Sequence, residues 1–283
     1  MKAVVLTYHS HHVLGKDYAN NDHVALPTDL ALITAAGYRI VPLDTIVMAV
    51  EACQRGHDTA GTEVRYAGIT FDDGPAFDVE DFVHPRFGFQ RSFLGIMQDF
   101  AQLPDGKRQP ALNATSFVIA SPEARRAMEE TFDTRYTYIA PGSLGDGWWH
   151  GASSSGLISI GNHSWDHLHP GLAQDAESMR IQGDFTQVTT DLDADKQILR
   201  AAEYIATRTN GRSVPFFAYP FGHYNEFLTE RYFPARRAQT GLRAAFTGDP
   251  KPITGNESVW CLPRYVCGHH WTSPDELLAI LGD

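Results

Sequence analysis

Short β-branched runs alternate along the chain with stretches whose apolar residues recur at helical spacing. "AVVLTYH" (3–9) reads as a strand buried on both faces. "PTDLALITAAG" (27–37) reads as a helix that starts at Pro27 and Thr28 and stops at Gly37. "YRIVPL" returns to strand character. "LDTIVMAVEACQRG" (43–56) predicts a helix capped by Asp44 and ended by Gly56. "RYAGITF" is the next strand, and an irregular segment follows from 77 to 110, punctuated by Pro85, Gly88, Gly95 and "LPDGKRQP". "NATSFVIAS" is a strand, and "SPEARRAMEETF" is a helix with Ser121 as N-cap and Pro122 in first position. "GSLGDGWWHGASSSG" (142–156) reads as a loop near a pocket, and "LISIGNHSWDH" begins as a strand. Residues 187–211 are the longest helix candidate, "VPFFAYPFG" is a strand running into a turn, and "RAAFTG", "VWCLPRYVC" and "SPDELLAILG" close the chain as strand, strand and helix. Alternating β and α units imply a parallel sheet, open or closed into a barrel. With no internal repeat and no linker, residues 1–283 form a single domain.

Parallel α/β sheets gather their chemistry at the carboxyl ends of the strands, and the unusual residues of this chain lie there. Asp72 and Asp73 follow "AGIT", with Gly74 and Pro75 turning the chain at once. His163 and His167 follow "LISIG". Histidines at i and i+4 on a helical turn have Cβ atoms about 6 Å apart, which suits two imidazoles on one ion. Taken alone, the aspartates read as a capped turn and the histidines as a surface pair. Together, one carboxylate and two imidazoles make a catalytic metal site with open positions. A paired-carboxylate glycosidase fits poorly, because adjacent aspartates on one turn do not flank a glycosidic bond across about 5–9 Å.

Composition narrows the classes. Apolar residues are 43% and charged residues 20% of the 283, an ordinary globular balance. The net charge of −11, without a basic run, argues against a nucleic-acid surface. No apolar run approaches the ~20 residues of a membrane span. The start "MKAVVLTYHSHH" lacks the length and cleavage site of a secretory signal, so the chain as given reads as cytoplasmic. Cys53, Cys261 and Cys267 imply no disulfide framework.

"TFDDG" (70–74) and "HSWDH" (163–167) resemble the first two motifs of the polysaccharide deacetylases with the NodB homology domain, carbohydrate esterase family 4. The resemblance implies a distorted (β/α) barrel and a metal-dependent removal of N-acetyl groups from an amino sugar or glycan. It makes Asp72 the catalytic base and Asp73, His163 and His167 the ligands of a divalent ion, zinc or in its place cobalt, nickel or manganese. Ser164 becomes a loop-orienting residue. "FAYPFG" (217–222) resembles the third motif, with Tyr219, Pro220, Phe221 and Gly222 as groove wall, but Ala218 stands where the family's arginine belongs. The departure matches the circularly permuted branch of poly-N-acetylglucosamine deacetylases, which opens on a strand ending Tyr-His and carries Leu-Pro-Arg near its C-terminus. On that reading His9 is the general acid, with His269 and His270 as rivals, and Arg264 stands in beside Asp72. His11 and His12 read as loop residues, and Trp148, Trp149, Trp165 and Trp271 as candidate sugar-stacking platforms. Two rivals stand beside the deacetylase: a metal-dependent amidase for non-sugar amides or cyclic imides, and a non-catalytic carbohydrate-binding protein, which Ala218 favours.

Overall fold

The computed structural model describes residues 1–56, 64–131, 138–172 and 182–282. In chain order the elements are β1 (Lys2–Tyr8), α1 (Asp22–Ala35), β2 (Tyr38–Ile40), α2 (Leu43–Gln54), β3 (Arg65–Phe71), β4 (Phe82–His84), β5 (Gly88–Gln90), α3 (Phe93–Gln102), α4 (Pro104–Lys107), β6 (Ala114–Val118), α5 (Pro122–Thr131), α6 (Trp149–Ser153), β7 (Ile158–Asn162), α7 (Asp191–Ala194), α8 (Arg200–Arg208), β8 (Phe216–Ala218), α9 (Phe233–Thr240), β9 (Ala244–Phe246), β10 (Tyr265–Val266) and α10 (Pro274–Gly282). The main sheet has eight strands in the order β10-β1-β3-β6-β7-β8-β9, with β2 also on β3. Every pairing in it is parallel. Past β9 the chain returns as Leu262, which bridges Phe246, and then as β10 on β1, so the segment 262–266 carries the curled sheet from its last strand back to its first. This is the single-domain NodB-type barrel expected.

The alternation of side chains along each strand sorts the core. Val4, Leu6 and Tyr8 of β1 and Ile69 and Phe71 of β3 pack outward with Leu26 and Leu30 of α1. Val5 points the other way, into a cluster with Phe117, Phe216, Phe246 and Leu262. Thr7 and Thr70 share that inward face and hydrogen-bond each other at 2.9 Å. By parity the next inward residue on β3 is Asp72.

Several boundaries differ from those read in the sequence. Helix α1 starts at Asp22 rather than Pro27, because the Asn21 side chain accepts the His23 N–H at 2.9 Å and caps the helix early. Pro27 therefore lies inside the helix. Asp44 is not the cap of α2; Pro42 precedes the helix, and the Asp44 carboxylate binds Arg243 at 2.6 Å. The segment 77–110 is more ordered than its punctuation suggests, with an antiparallel β4–β5 hairpin and the ten-residue helix α3. The long helix begins at Asp191 and is broken by a π-helical stretch, Asp195–Leu199, between α7 and α8. Among the described residues no helix is long and apolar enough to cross a membrane, and all three cysteines are free.

Candidate active site

Asp72 directly follows β3 on the inward face and is 5% exposed. The guanidinium of Arg264 meets it end-on, with Nη1 donating to Oδ1 at 2.8 Å and Nη2 to Oδ2 at 2.9 Å. Two further donors of Arg264 reach the Thr247 carbonyl and the Thr70 hydroxyl. This planar two-point pairing is the strongest form of carboxylate recognition. Burial pushes the Asp72 carboxyl up, but Arg264 and His163 outweigh it and hold it below the usual aspartate range. Arginine thus reaches the aspartate from residue 264, while Ala218 serves through its backbone: its carbonyl accepts the His163 Nδ1–H at 2.9 Å.

Strand parity would send Asp73 outward. Instead its φ is 72°, and Gly74 follows at 68°, so two successive left-handed residues turn the carboxylate back over the barrel. A Cβ on Gly74 would lie 2.9 Å from Val118 Cβ, so only glycine fits. Asp73 Oδ1 lies 3.5 Å from Nε2 of both His163 and His167, and the three ligand atoms fall within 4.8 Å of one another. Oδ2 accepts from His11 Nε2 at 2.8 Å.

His163 and His167 converge by a different route from the helical turn expected. Residues 163–168 form a loop in which Ser164 (φ 71°), His167 (φ 61°) and Leu168 (φ 44°) are left-handed. Ser164 is fully buried, and its hydroxyl accepts the His167 N–H at 2.9 Å, tying the two ends of the loop together. Burial drives the His167 imidazole down to about 3, so it is neutral and able to offer a lone pair. The His163 Nδ1–H bond to Ala218 likewise leaves Nε2 as the lone-pair atom facing Asp73. Two imidazole nitrogens gathered with a carboxylate oxygen suit a divalent ion of the zinc type.

The pair and the triad open into a cavity of about 510 Å³ that His9, His11, Phe221, Gly222, His269 and His270 also line. Burial lowers the His9 imidazole below its ordinary value. Its backbone N–H is tied to Asp22 at 2.7 Å. Phe221, left-handed at φ 58°, is 43% exposed and packs edge-on to His167 at 4.3 Å. Tyr219 stands behind this wall, buried, with its hydroxyl on the Trp260 carbonyl, and Pro220 is buried beside it. The tryptophans proposed as platforms do other work. Trp149 and Trp271 are fully buried, Trp148 nearly so, and Trp165 is covered by the Arg200 guanidinium at 3.7 Å.

His11 is the site residue that the sequence reading passed over as loop. Its signal was parity: past the strand end, residues 9 and 11 continue the inward series begun by Val5 and Thr7. Asp78 is a second unforeseen group, fully buried and accepting from Ser10 and Ser116 at 2.6 Å each, where it ties the loop after β1 to β6.

Residues 108–232 match the sequence profile of the polysaccharide deacetylase family. The matched stretch holds His163, His167 and the 217–222 segment and stops short of Asp72, Asp73, His9 and Arg264. A search among curated protein sequences found no match. Solved structures share the whole fold at low identity. A de-N-acetylase from Aggregatibacter actinomycetemcomitans aligns with a TM-score of 0.60 at 13% identity, covering 99% of this chain and 100% of that one. The Streptococcus pyogenes deacetylase PplD, solved with acetate, gives 0.56 at 15%, covering 99% and 98%. The deacetylase domain of BpsB from Bordetella bronchiseptica gives 0.55 at 14%, covering 94% and 96%.

Proposed function

We propose that this chain, which carries a polysaccharide deacetylase domain, is a metal-dependent hydrolase that removes the acetyl group from an N-acetylated amino sugar or short glycan. The observation that carries the reading is the meeting, in one cavity, of the Asp73–His163–His167 cluster with an aspartate gripped by a buried arginine. A binding protein gains nothing from either arrangement, since both confine charge at a cost in stability.

Asp73, His163 and His167 would hold a divalent ion, zinc or else cobalt, nickel or manganese, which would supply the positive charge that acidifies water and polarises the acetyl carbonyl. Asp72 takes the proton from the attacking water as general base. Arg264 keeps that carboxylate ionised and fixes its plane, replacing the arginine that Ala218 omits. The His11 bond to Asp73 Oδ2 leaves Oδ1 facing the two imidazoles. His9, at the end of β1 next to β3, protonates the departing nitrogen, with His269 and His270 lining the same cavity as rivals for that part. Phe221 gives the sugar ring an apolar face at the lip. The products are acetate and a free amine.

The test is acetate release from a panel of N-acetylated mono- and oligosaccharides and of small non-sugar amides, with and without a chelator. Chelator-sensitive release from sugars is expected. Release confined to the small amides moves the reading to the amidase, and no release from any compound moves it to a binding protein.

A further inference from the structure

Three residues with side chains adopt left-handed backbone within the five-residue stretch 164–168. Each such residue is strained and persists only where its surroundings over-determine it. Here the surroundings come largely from one place, the π-helical stretch Asp195–Leu199 between α7 and α8. π-Helical turns are rare and gather at functional sites. In this one the Arg200 N–H bonds back five residues, to the Asp195 carbonyl. The carbonyls of Gln197 and Ile198 turn toward the histidine loop. Gln197 O accepts the Trp165 N–H at 2.7 Å, and Ile198 O accepts from Asn162 Nδ2 at 3.0 Å. Asn162 in turn accepts the Ser164 N–H through Oδ1 at 2.8 Å.

The Gln197 side chain, 2% exposed, adds a second hold. Its Nε2 donates to Asp166 Oδ1 at 2.8 Å, and its Oε1 faces the Asp166 N–H at 3.4 Å. The same Asp166 oxygen accepts the Leu168 N–H at 2.9 Å. Asp166 therefore joins the helix on one side to the left-handed turn carrying His167 on the other. One turn along, Arg200 clamps the Trp165 ring from above.

We infer that Gln197 is a positioning residue for the His163–His167 pair, setting through Trp165 and Asp166 the spacing at which the two imidazoles receive a divalent ion. The inference rests on the reading of Asp73, His163 and His167 as a metal site. It goes beyond that reading by placing a determinant of metal affinity on a helix that contributes no ligand.

The variants are Gln197→Met, which removes both side-chain hydrogen bonds without adding charge, and Gln197→Glu, which sets a carboxylate against Asp166. Zinc affinity is measured by competition with a chromophoric chelator, alongside the thermal midpoint of the metal-free protein and the visible absorption of the cobalt-loaded form. Removing a partner that orients ligands typically weakens metal binding 10–100-fold. Losses in that range are expected for both variants, larger for Gln197→Glu, with a changed cobalt spectrum. Partial recovery is expected in Asp166→Asn/Gln197→Glu, which relieves the repulsion between the two carboxylates. A purely structural role lowers the thermal midpoint and leaves affinity and spectrum as in wild type, and that result in the folded Gln197→Met protein overturns the inference. If wild type itself takes up no divalent ion, the metal-site reading falls first and takes this one with it. Wild-type binding with unchanged variants refutes the positioning role alone.

Discussion

Asp72 and Asp29 are both buried carboxylates, one at the end of β3 and one in the middle of α1, and their electrostatics run in opposite directions. Asp29 is fully enclosed and accepts hydrogen bonds from the Tyr8 hydroxyl at 2.9 Å, the Trp271 indole at 3.2 Å and the Tyr18 hydroxyl. Burial raises its carboxyl by more than the three neutral donors lower it, leaving it pushed up to about 7. Asp72 suffers the same burial but faces a full positive charge at two points, and it ends below the usual range. Neutral donors make a buried carboxylate tolerable, whereas a paired cation keeps it ionised. Only the second arrangement suits a base that must work at neutral pH.

The sharpest way to separate the two is to neutralise each. Asp72→Asn is expected to lower kcat about 10³-fold, within the range for a lost general base, while zinc affinity stays within about threefold of wild type. Asp29→Asn should keep full turnover. If Asp72→Asn kept wild-type rate, the assignment of the base would be wrong. Next comes Arg264→Met, which makes Asp72 resemble Asp29 by removing its cation. Breaking a buried pair from one side costs about 3–5 kcal/mol, so urea unfolding should show a loss of that size, and kcat should fall about 100-fold. Arg264→Lys should recover little, since a point charge does not reproduce the two-point grip.

A smaller effect concerns pH and stability. The folded Asp29 carboxyl titrates near 7, above its ordinary 3.8, so its protonated form favours the folded state. That contribution is whole below pH ~4 and is lost as pH climbs through 7. The thermal midpoint of Asp29→Asn minus that of wild type should therefore grow between pH 4 and pH 8, by about 5 °C. A flat difference would place the ionisation elsewhere. The smallest effect is expected at His11. His11→Gln keeps a donor near Asp73 Oδ2 and should lose only a few-fold in zinc affinity, whereas His11→Phe should lose about tenfold.

The strand–helix alternation made the parallel α/β sheet legible in the sequence, because period and turn chemistry are local, while the barrel came from family likeness and four residues of the candidate site from the two specific motifs. The pairing of Arg264 with Asp72 was suggested only by family likeness, since nothing local ties residues 192 positions apart. The route by which His163 and His167 meet was misread, because i,i+4 spacing is compatible with a left-handed loop as well as a helix. The early start of α1 was missed because Pro27 is a stronger written signal than Asn21, although the cap decides where the helix begins. The tryptophans failed as sugar platforms for an ordinary reason: large aromatics fill cores before they decorate surfaces.

The return of residues 262–266 beside β1 has a consequence for how the molecule comes into being. The Asp73, His163 and His167 cluster draws its supports from residues up to Ala218, whose carbonyl holds His163, whereas Asp72 gains its counter-charge only when residue 264 arrives. During synthesis, N-terminal parts form first. A nascent chain therefore passes through a long interval in which the ligand cluster can gather while its neighbouring aspartate has no arginine. Over that interval the growing polypeptide carries the candidate ligand cluster beside an aspartate with no counter-charge, and the arrival of Arg264 closes the pair.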